Sequence, residues 1–259
     1  MHEGMKRHLR AAMVRLPIIE TLRRDIQHGL QRRLQRPFDP DFCALRVLPE
    51  RPHEILLDVG ANNGLAVGAM RLYRPHATII CFEPNRILAE RVRRRFAFDP
   101  RVTVNAYGLD MEGGSRTLFV PRYREYVFTG LASIDRSEAT RWLNERTLAG
   151  FQARHLTIET ALCEFRPLDE LQLAPSFIKL DVQGAEERVI QGACETIARS
   201  RPVIMMENSS AVRGCLNRLP ALHYGLWSFR QGSWSTEVTS AMNVFFIPQE
   251  FKGSLQRNP

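Results

Sequence analysis

The stretch that decides the fold is Ile55-Leu56-Leu57-Asp58-Val59-Gly60-Ala61-Asn62-Asn63-Gly64. Its first five residues form a short, mostly apolar run, which predicts a buried β-strand, and a helical pattern follows as far as Tyr73. A glycine-rich turn between a strand and a helix lets backbone N–H groups approach a ligand closely. The stretch therefore predicts the first strand–turn–helix unit of a sheet that binds a nucleotide-type cofactor.

The alternation of strand and helix repeats along the chain. Apolar runs predict further strands at residues 78–83, 102–106, 177–181 and 202–207, and helical patterns cover 84–98 and 184–199. Such alternation indicates right-handed βαβ units and a parallel sheet. Two last strands, 226–229 and 243–247, are expected as an antiparallel pair at its edge. We therefore expect an α/β, Rossmann-like fold with a mostly parallel seven-stranded sheet, helices on both faces and an N-terminal helical extension.

Two carboxylates select the cofactor. The loop does not fit the GxGxxG fingerprint of dinucleotide enzymes, and Asp58 precedes it. That carboxylate would repel a pyrophosphate but attract the amino group or sulfonium of S-adenosylmethionine. Glu83 ends the next strand, 19 residues after Gly64, where it can accept hydrogen bonds from both ribose hydroxyls. The pairing of Asp58, the loop and Glu83 therefore predicts S-adenosyl-L-methionine as the cofactor.

Three motifs, in order, resemble those of FkbM-type methyltransferases. Residues 58–64 resemble their DVGAN-x-G motif, residues 81–85 their acid-Pro-Asn motif, and residues 178–186 their IKIDVEGAE motif. The resemblance covers about residues 53–248 and includes the terminal strand at 243–248. It implies a class I methyltransferase fold and O-methylation of a hydroxyl on a sugar, glycolipid or natural product. One position departs from the pattern, because Gln183 stands where the family usually has Glu.

Strand ends supply the candidate catalytic residues, Asp181 and Glu207. Open α/β sheets place ligands at the carboxyl ends of their strands, so we expect Asp181 nearest the transferring methyl, as base or substrate anchor. Glu207 ends the neighbouring strand and can share the acceptor hydroxyl. By analogy with the resembled fold, residues 105–110 flank the adenine. The predicted cofactor contacts are Asp58, Gly60, Ala61, Asn62, Asn63, Gly64, Glu83, Pro84, Tyr107, Asp110 and Asp181. No metal site is predicted, because two acids alone are a weak ligand set.

The N-terminal region is the most basic part of a chain of 259 residues with net charge +8. Residues 1–36 hold nine Lys/Arg against three acids, and Ile19, Leu22, Ile26, Leu30 and Leu34 recur at helical spacing. One interpretation is a helix packed on the domain with a solvated basic face. The other is a helix on an anionic membrane surface, or a homodimer contact.

Composition leaves several partners open. The charge favours anionic partners, but an aromatic-proline base-flipping tetrad is absent from the sequence, so nucleic acid is disfavoured. The alternatives to O-methylation are a nucleic-acid methyltransferase, or a catalytically impaired module that binds a membrane or partner. Five widely spaced cysteines suit a reducing cytoplasm, with contact to the inner face of the membrane as an option.

Domain boundaries follow from the change of pattern after Pro52. We expect a basic helical extension and proline-containing linker over residues 1–52, and a methyltransferase domain over 53–259. Within it, the less regular residues 121–165 are expected as a substrate-side insertion. The segment 130–133 is a further candidate for the methionine end or the acceptor pocket.

Overall fold

The computed structural model describes residues 7, 8, 11, 14, 17–251 and 253. Within them, a central sheet has eight strands in the order β11-β10-β12-β9-β8-β1-β2-β3. Their bounds are β1 Ile55–Val59, β2 Thr78–Phe82, β3 Val102–Asn105, β8 Phe177–Leu180, β9 Val203–Glu207, β10 Tyr224–Arg230, β11 Ser233–Ser235 and β12 Asn243–Pro248. The expected α/β class is confirmed, and the short strand β11 adds an eighth member at the edge.

The sheet is parallel from β3 to β9 and antiparallel beyond. Strand β1 pairs in parallel with both β2 and β8, and β12 pairs antiparallel with β9 and β10. The chain builds outward through β2 and β3, then returns to the other side of β1 at β8. Such a reversal opens a crevice at the carboxyl ends of the strands, where ligands bind. The sheet order therefore fixes the site between β1 and β8.

Two apolar layers, one on each face, hold helices against the sheet. On one face Leu56, Ile79 and Phe177 pack with helix α2, Leu65–Tyr73. On the other, Leu57 and Leu180 pack with the helices that follow β8 and β9. Neighbouring residues of a strand point to opposite faces, so the continuous apolar runs in the sequence reflect a sheet covered on both sides.

A second, smaller sheet lies across residues 108–166, in the order β4-β7-β5-β6. Its bounds are β4 Gly108–Leu109, β5 Gly114–Tyr123, β6 Tyr126–Val127 and β7 Leu156–Arg166. Strands β5 and β7 pair antiparallel along ten residues. Local sequence indicates shorter strands, at residues 116–120 and 156–163, and a helix over 137–148, which in the structure is α4, Arg136–Arg141.

Two helices differ from expectation at their ends. Asn85 caps α3, Arg86–Arg95, through its side-chain oxygen, so the helix starts after the predicted Pro84. The single helix expected at 184–199 is two, α5 Glu186–Gln191 and α6 Cys194–Ser200. A Cβ at Gly192 would lie 2.1 Å from the carbonyl oxygen of Asp110, so the break lets the chain pack on that backbone. Helix α7, Ala211–Arg218, follows β9.

The N-terminal helix α1, Pro17–Leu34, is present as predicted, but its packing is not. Gln31 is buried against the domain, whereas Ile26, Leu30 and Leu34 are exposed. Of the two interpretations of this helix, packing on the domain holds for Gln31 but not for these three apolar residues. The side chains of residues 17–24, including Ile19 and Leu22, and most of residues 1–16 lie outside the described part.

The proline-containing linker is partly core rather than free chain. A 3₁₀ turn, Pro40–Arg46, buries Phe42 and Leu45 in the same apolar layer as α2. Among the described helices, none has the length and apolar character needed to cross a membrane.

Candidate functional site

The turn after β1 is shaped by the neighbouring strand as well as by any ligand. Gly60 has φ +86°, and a Cβ there would lie 1.9 Å from the carbonyl oxygen of Asp181. The nitrogen of Asp181 in turn donates to the carbonyl of Val59 at 2.9 Å. Glycine is therefore required where β1 and β8 end side by side, and this close approach brings Asp181 to the loop.

Glu83 ties the loop to the end of β2. Its two carboxylate oxygens accept one backbone N–H each, from Asn62 at 2.7 Å and from Asn85 at 2.9 Å. Burial raises the pKa of Glu83 to about 7, against the opposing effect of those two hydrogen bonds. Each oxygen keeps a second lone pair, so the carboxylate can still accept hydroxyl hydrogen bonds from a ligand.

A cleft opens above these strand ends. Five of the predicted cofactor residues line it: Gly60, Asn62, Glu83, Pro84 and Asp181. Its apolar wall comes from Leu109 of β4, Leu118 of β5 and Phe165 of β7, so the second sheet forms one side of the cleft. Thr129, Gly130, Ala132 and Ser133 line it as well, which agrees with the weaker expectation for residues 130–133.

Asp58 lies beneath the cleft and not in its wall. Its carboxylate is fully buried, and its Oδ2 has no hydrogen-bond partner among the described residues. Burial raises the pKa of Asp58 to about 7, while Lys179 on the adjacent strand favours the ionised form. Asp58 is therefore placed to act on the site through charge rather than by contact. Ala61, Asn63 and Gly64 also lie outside the wall and shape the turn.

Gln183 lies beside both candidate catalytic acids. It donates from Nε2 to Oδ1 of Asp181 at 2.7 Å, and its side chain favours the ionised form of Glu207. The ammonium of Lys179 lies 3.7 Å from Oδ2 of Asp181. Burial, and next the charge of Asp181, raise the pKa of Glu207. The structure thus brings Asp181 and Glu207 together, through the residue that departs from the family pattern.

The linker adds two acids that the sequence reasoning missed. Asp39 and Asp41 each accept a hydrogen bond from Nδ2 of Asn243 at 2.9 Å, and Asn243 pairs with Glu207 in the sheet. Burial raises the pKa of Asp39, and Lys179 partly opposes this. The sequence feature that could have indicated these two acids is Asp-Pro-Asp at 39–41, which was interpreted only as part of a proline-containing linker. Among the described residues, no group of three or more His, Cys, Asp or Glu has metal-holding geometry.

Two predicted adenine contacts have other partners. Asp110 is buried, and its carboxylate pairs with Arg188 at 2.7 and 2.9 Å and with Arg116. Burial opposes its ionisation, but these arginines outweigh that effect and lower its pKa. The ring of Tyr107 packs on Phe82 and under Arg166. Neither side chain lines the cleft, whereas Leu109 and Phe165, which the sequence reasoning missed, form part of its wall.

A buried hydroxyl links the region of the second sheet to the loop that follows β8. Ser133 donates from Oγ to the carbonyl of Gln183 at 2.7 Å. Gln183 itself has φ +50°, a backbone conformation that residues other than glycine seldom adopt. The hydrogen bond holds this strained residue in place, so the contact of its side chain with Asp181 depends on the insertion.

S-adenosylmethionine suits the chemistry of this cleft. Glu83 offers a carboxylate for ribose hydroxyls, Leu109 and Phe165 offer an apolar wall for adenine, and Asp181 offers a negative charge for the cationic end. The backbone turn at Gly60 lets the ligand approach the chain.

Comparison with known proteins agrees with this geometry. The Methyltransferase FkbM domain matches residues 58–215. The chain is 26% identical over 188 residues to the 2-O-methyltransferase NoeI of Sinorhizobium fredii, covering 67% of this chain and 74% of that protein. It is 30% identical over 183 residues to the AMB antimetabolite synthetase AmbE of Pseudomonas aeruginosa, covering 61% of this chain and 8% of that protein.

A solved structure of Methyltransferase FkbM from Methylobacillus flagellatus has a TM-score of 0.49 and 17% identity. It covers 77% of this chain, which spans 44% of its length. The domain match extends from Asp58 of the cofactor turn past Glu207 at the end of β9, and so includes the turn, Glu83, Asp181 and Gln183. The chain belongs to the FkbM methyltransferase domain family, whose members depend on S-adenosylmethionine.

Proposed function

We propose that the protein methylates a hydroxyl group of a sugar, glycolipid or natural-product acceptor. The observation that carries the proposal is the acid pair: Asp181 lines the cofactor cleft and hydrogen-bonds Gln183, and Glu207 ends the neighbouring strand, close enough for the two charges to interact. A hydroxyl must lose its proton as it attacks, so an O-methyltransferase benefits from a positioned base. The relative NoeI is a 2-O-methyltransferase, which supports the same reaction type.

When bound, S-adenosylmethionine supplies an electrophilic methyl group on a sulfonium. The chain's own residues then have separate roles. Asp181, 42% exposed and lining the cleft, holds the positive end of the donor and orients the acceptor. Glu207 accepts the proton of the acceptor hydroxyl, because its raised pKa makes it a stronger base than an ordinary carboxylate.

Gln183 keeps the two roles apart. Its amide has two N–H donors, so it can hydrogen-bond both carboxylates without adding negative charge. A glutamate at this position would place a third carboxylate in the group. Gln183 therefore supports the acid pair without adding a charge, and it is not a lesion.

The basic charge does not by itself favour nucleic acid. On α3, Glu90 pairs with Arg93 and Arg94, and Arg95 pairs with Asp25. These arginines are thus partly neutralised on a solvated helix face, and a nucleic-acid acceptor has no specific support.

The test is a methyl-transfer assay on a panel of glycosides, alkyl glycosides and hydroxylated natural products, with tRNA and DNA as comparison substrates. We expect methylated product from a hydroxyl acceptor, detected by mass spectrometry, and its loss in Glu207→Gln with donor binding retained. Transfer to nucleic acid alone would refute the proposed acceptor class. Donor binding without turnover of any acceptor would favour the catalytically impaired alternative.

A further inference from the structure

Over residues 25–34, whose side chains are described, helix α1 presents its polar side to the domain and its apolar side to solvent. His28 donates from Nε2 to the carbonyl of Asn63 at 3.0 Å, and Gln31 donates to the carbonyl of Leu65 at 3.1 Å. In contrast, Ile26 and Leu30 are 49% and 48% exposed. A surface helix of a globular protein normally has the reverse arrangement, so this helix has an apolar face left without a partner in the described chain.

The exposed apolar residues form one continuous stripe. Ile26, Leu30 and Leu34 recur every four residues, so they fall within about 80° of the helix circumference. Leu34 is 59% exposed, and Phe38, just beyond the helix end, is 58% exposed. We call Ile26, Leu30, Leu34 and Phe38 the apolar stripe.

Positive charge accompanies the apolar stripe. Arg33 occupies the last turn of α1 on the side of the apolar stripe and Arg36 follows the helix, and both are exposed, whereas Arg32 lies on the opposite side of the helix. Among the described side chains of the helix, Asp25 is the acid, and its charge is compensated by Arg95 at 2.5 Å. The exposed side of α1 is therefore both apolar and cationic.

A cavity at the end of the stripe combines the same two properties. Its lining includes Leu34 of the stripe, the two arginines Arg36 and Arg46, and Tyr73. The guanidinium of Arg46 lies 5.9 Å from the ring centre of Tyr73. Two guanidinium groups and a phenol beside an apolar side chain are suited to a phosphate attached to a lipid.

We propose that the apolar stripe and Arg33 and Arg36 dock on a membrane surface that carries anionic phospholipid. An amphipathic helix with arginines beside its apolar face binds in the interface plane without crossing the bilayer. A symmetric dimer through this face is disfavoured, because the same surface would meet itself and set arginine against arginine.

Docking does not depend on the proposed function, but it has a consequence for it. The hydrogen bonds from His28 and Gln31 attach α1 to the carbonyls of Asn63 and Leu65, next to the cofactor turn. A docked helix would thus hold the cleft near the lipid surface, within reach of a lipid-borne acceptor.

Vesicle flotation of the full chain, without methyl donor, tests the docking. The wild type should float with vesicles of phosphatidylcholine containing phosphatidylglycerol, and weakly with phosphatidylcholine alone. Ile26→Gln/Leu30→Gln should lower the partition coefficient roughly ten-fold, because two exposed apolar side chains no longer enter the interface. Arg33→Ala/Arg36→Ala should lower it roughly 30-fold at low salt.

The matched control is Leu162→Gln, which removes an apolar side chain that is 75% exposed on β7, away from α1. It should float as the wild type does, and circular dichroism should show that all variants are folded. Absence of wild-type flotation at low salt would overturn the proposal, as would equal flotation of the α1 variants. A concentration-dependent dimer that Leu30→Gln dissociates, without vesicle binding, would assign the stripe to a second copy instead.

Discussion

Replacing Gly60 with alanine should damage both the fold and the cofactor cleft. The residue has φ +86°, and the new Cβ would lie 1.9 Å from the carbonyl oxygen of Asp181. Backbone strain at positive φ costs about 1 kcal/mol. Relief of the overlap requires a shift of the β8 end, and overpacking of this kind costs about 2 kcal/mol. We therefore expect the free energy of unfolding to fall by about 3 kcal/mol.

The matched control is Gly150→Ala. Gly150 also has positive φ, +67°, but a Cβ there meets nothing within 4 Å. It should lose about 1 kcal/mol, from strain alone. Urea denaturation measures both free energies of unfolding, and calorimetry measures S-adenosylmethionine affinity, which Gly60→Ala should weaken because Asp181 and the loop move together. If Gly60→Ala loses no more stability than Gly150→Ala, the close approach is not a constraint and the reasoning is refuted.

Three further predictions concern the charges around the cleft. The folded state raises the pKa of Asp58 to about 7, so it binds the proton of this carboxyl more tightly than the unfolded chain does. The free energy of unfolding should therefore decline as pH rises from about 4 to 7, and Asp58→Asn should remove about 4 kcal/mol of this decline. Urea denaturation across this pH range measures it, and overlapping curves of stability against pH for the two proteins would contradict the prediction. Gln183→Glu adds a negative charge beside Glu207 and should move the basic group's apparent pKa in the kcat profile upward by about one unit; an unchanged profile would argue against Glu207 as the base. Ser133→Ala removes the hydrogen bond to the carbonyl of Gln183 and should lower kcat about ten-fold while donor affinity stays unchanged, whereas equal loss of both would indicate a general disturbance of the cleft.

The central sheet and the chemistry of its strand ends were predictable from local sequence. Gly60, Glu83 and Asp181 each stand at or just after the end of an apolar run. Parallel strands bring such ends to one edge of the sheet. The apolar wall of the cleft was not predictable in the same way. Leu118 and Phe165 come from antiparallel strands that pair over a long separation, and nothing local marks that pairing.

The roles of individual polar residues were harder to assign. Asp110 has no evident partner near it in the sequence, but Arg188, 78 residues further along the chain, forms an ion pair with its carboxylate. The periodicity of α1 predicts the helix, but it does not tell which face meets the domain. Gln31 meets the domain because it donates to a backbone carbonyl, that of Leu65, which only the fold places there. A hydrophobic pattern fixes the phase of a helix, whereas the polar partners of the opposite face depend on tertiary contacts.

The central claim is that this cleft binds S-adenosylmethionine with Glu83 as an anchor. Titration calorimetry of the full chain with S-adenosylmethionine, for wild type and Glu83→Gln, tests it most directly. We expect one ligand per chain for the wild type, and affinity lower by roughly ten-fold or more in Glu83→Gln, because the charged acceptor for the ribose hydroxyls is lost. Absence of binding by the folded wild type, or equal affinity of the two proteins, would contradict the account.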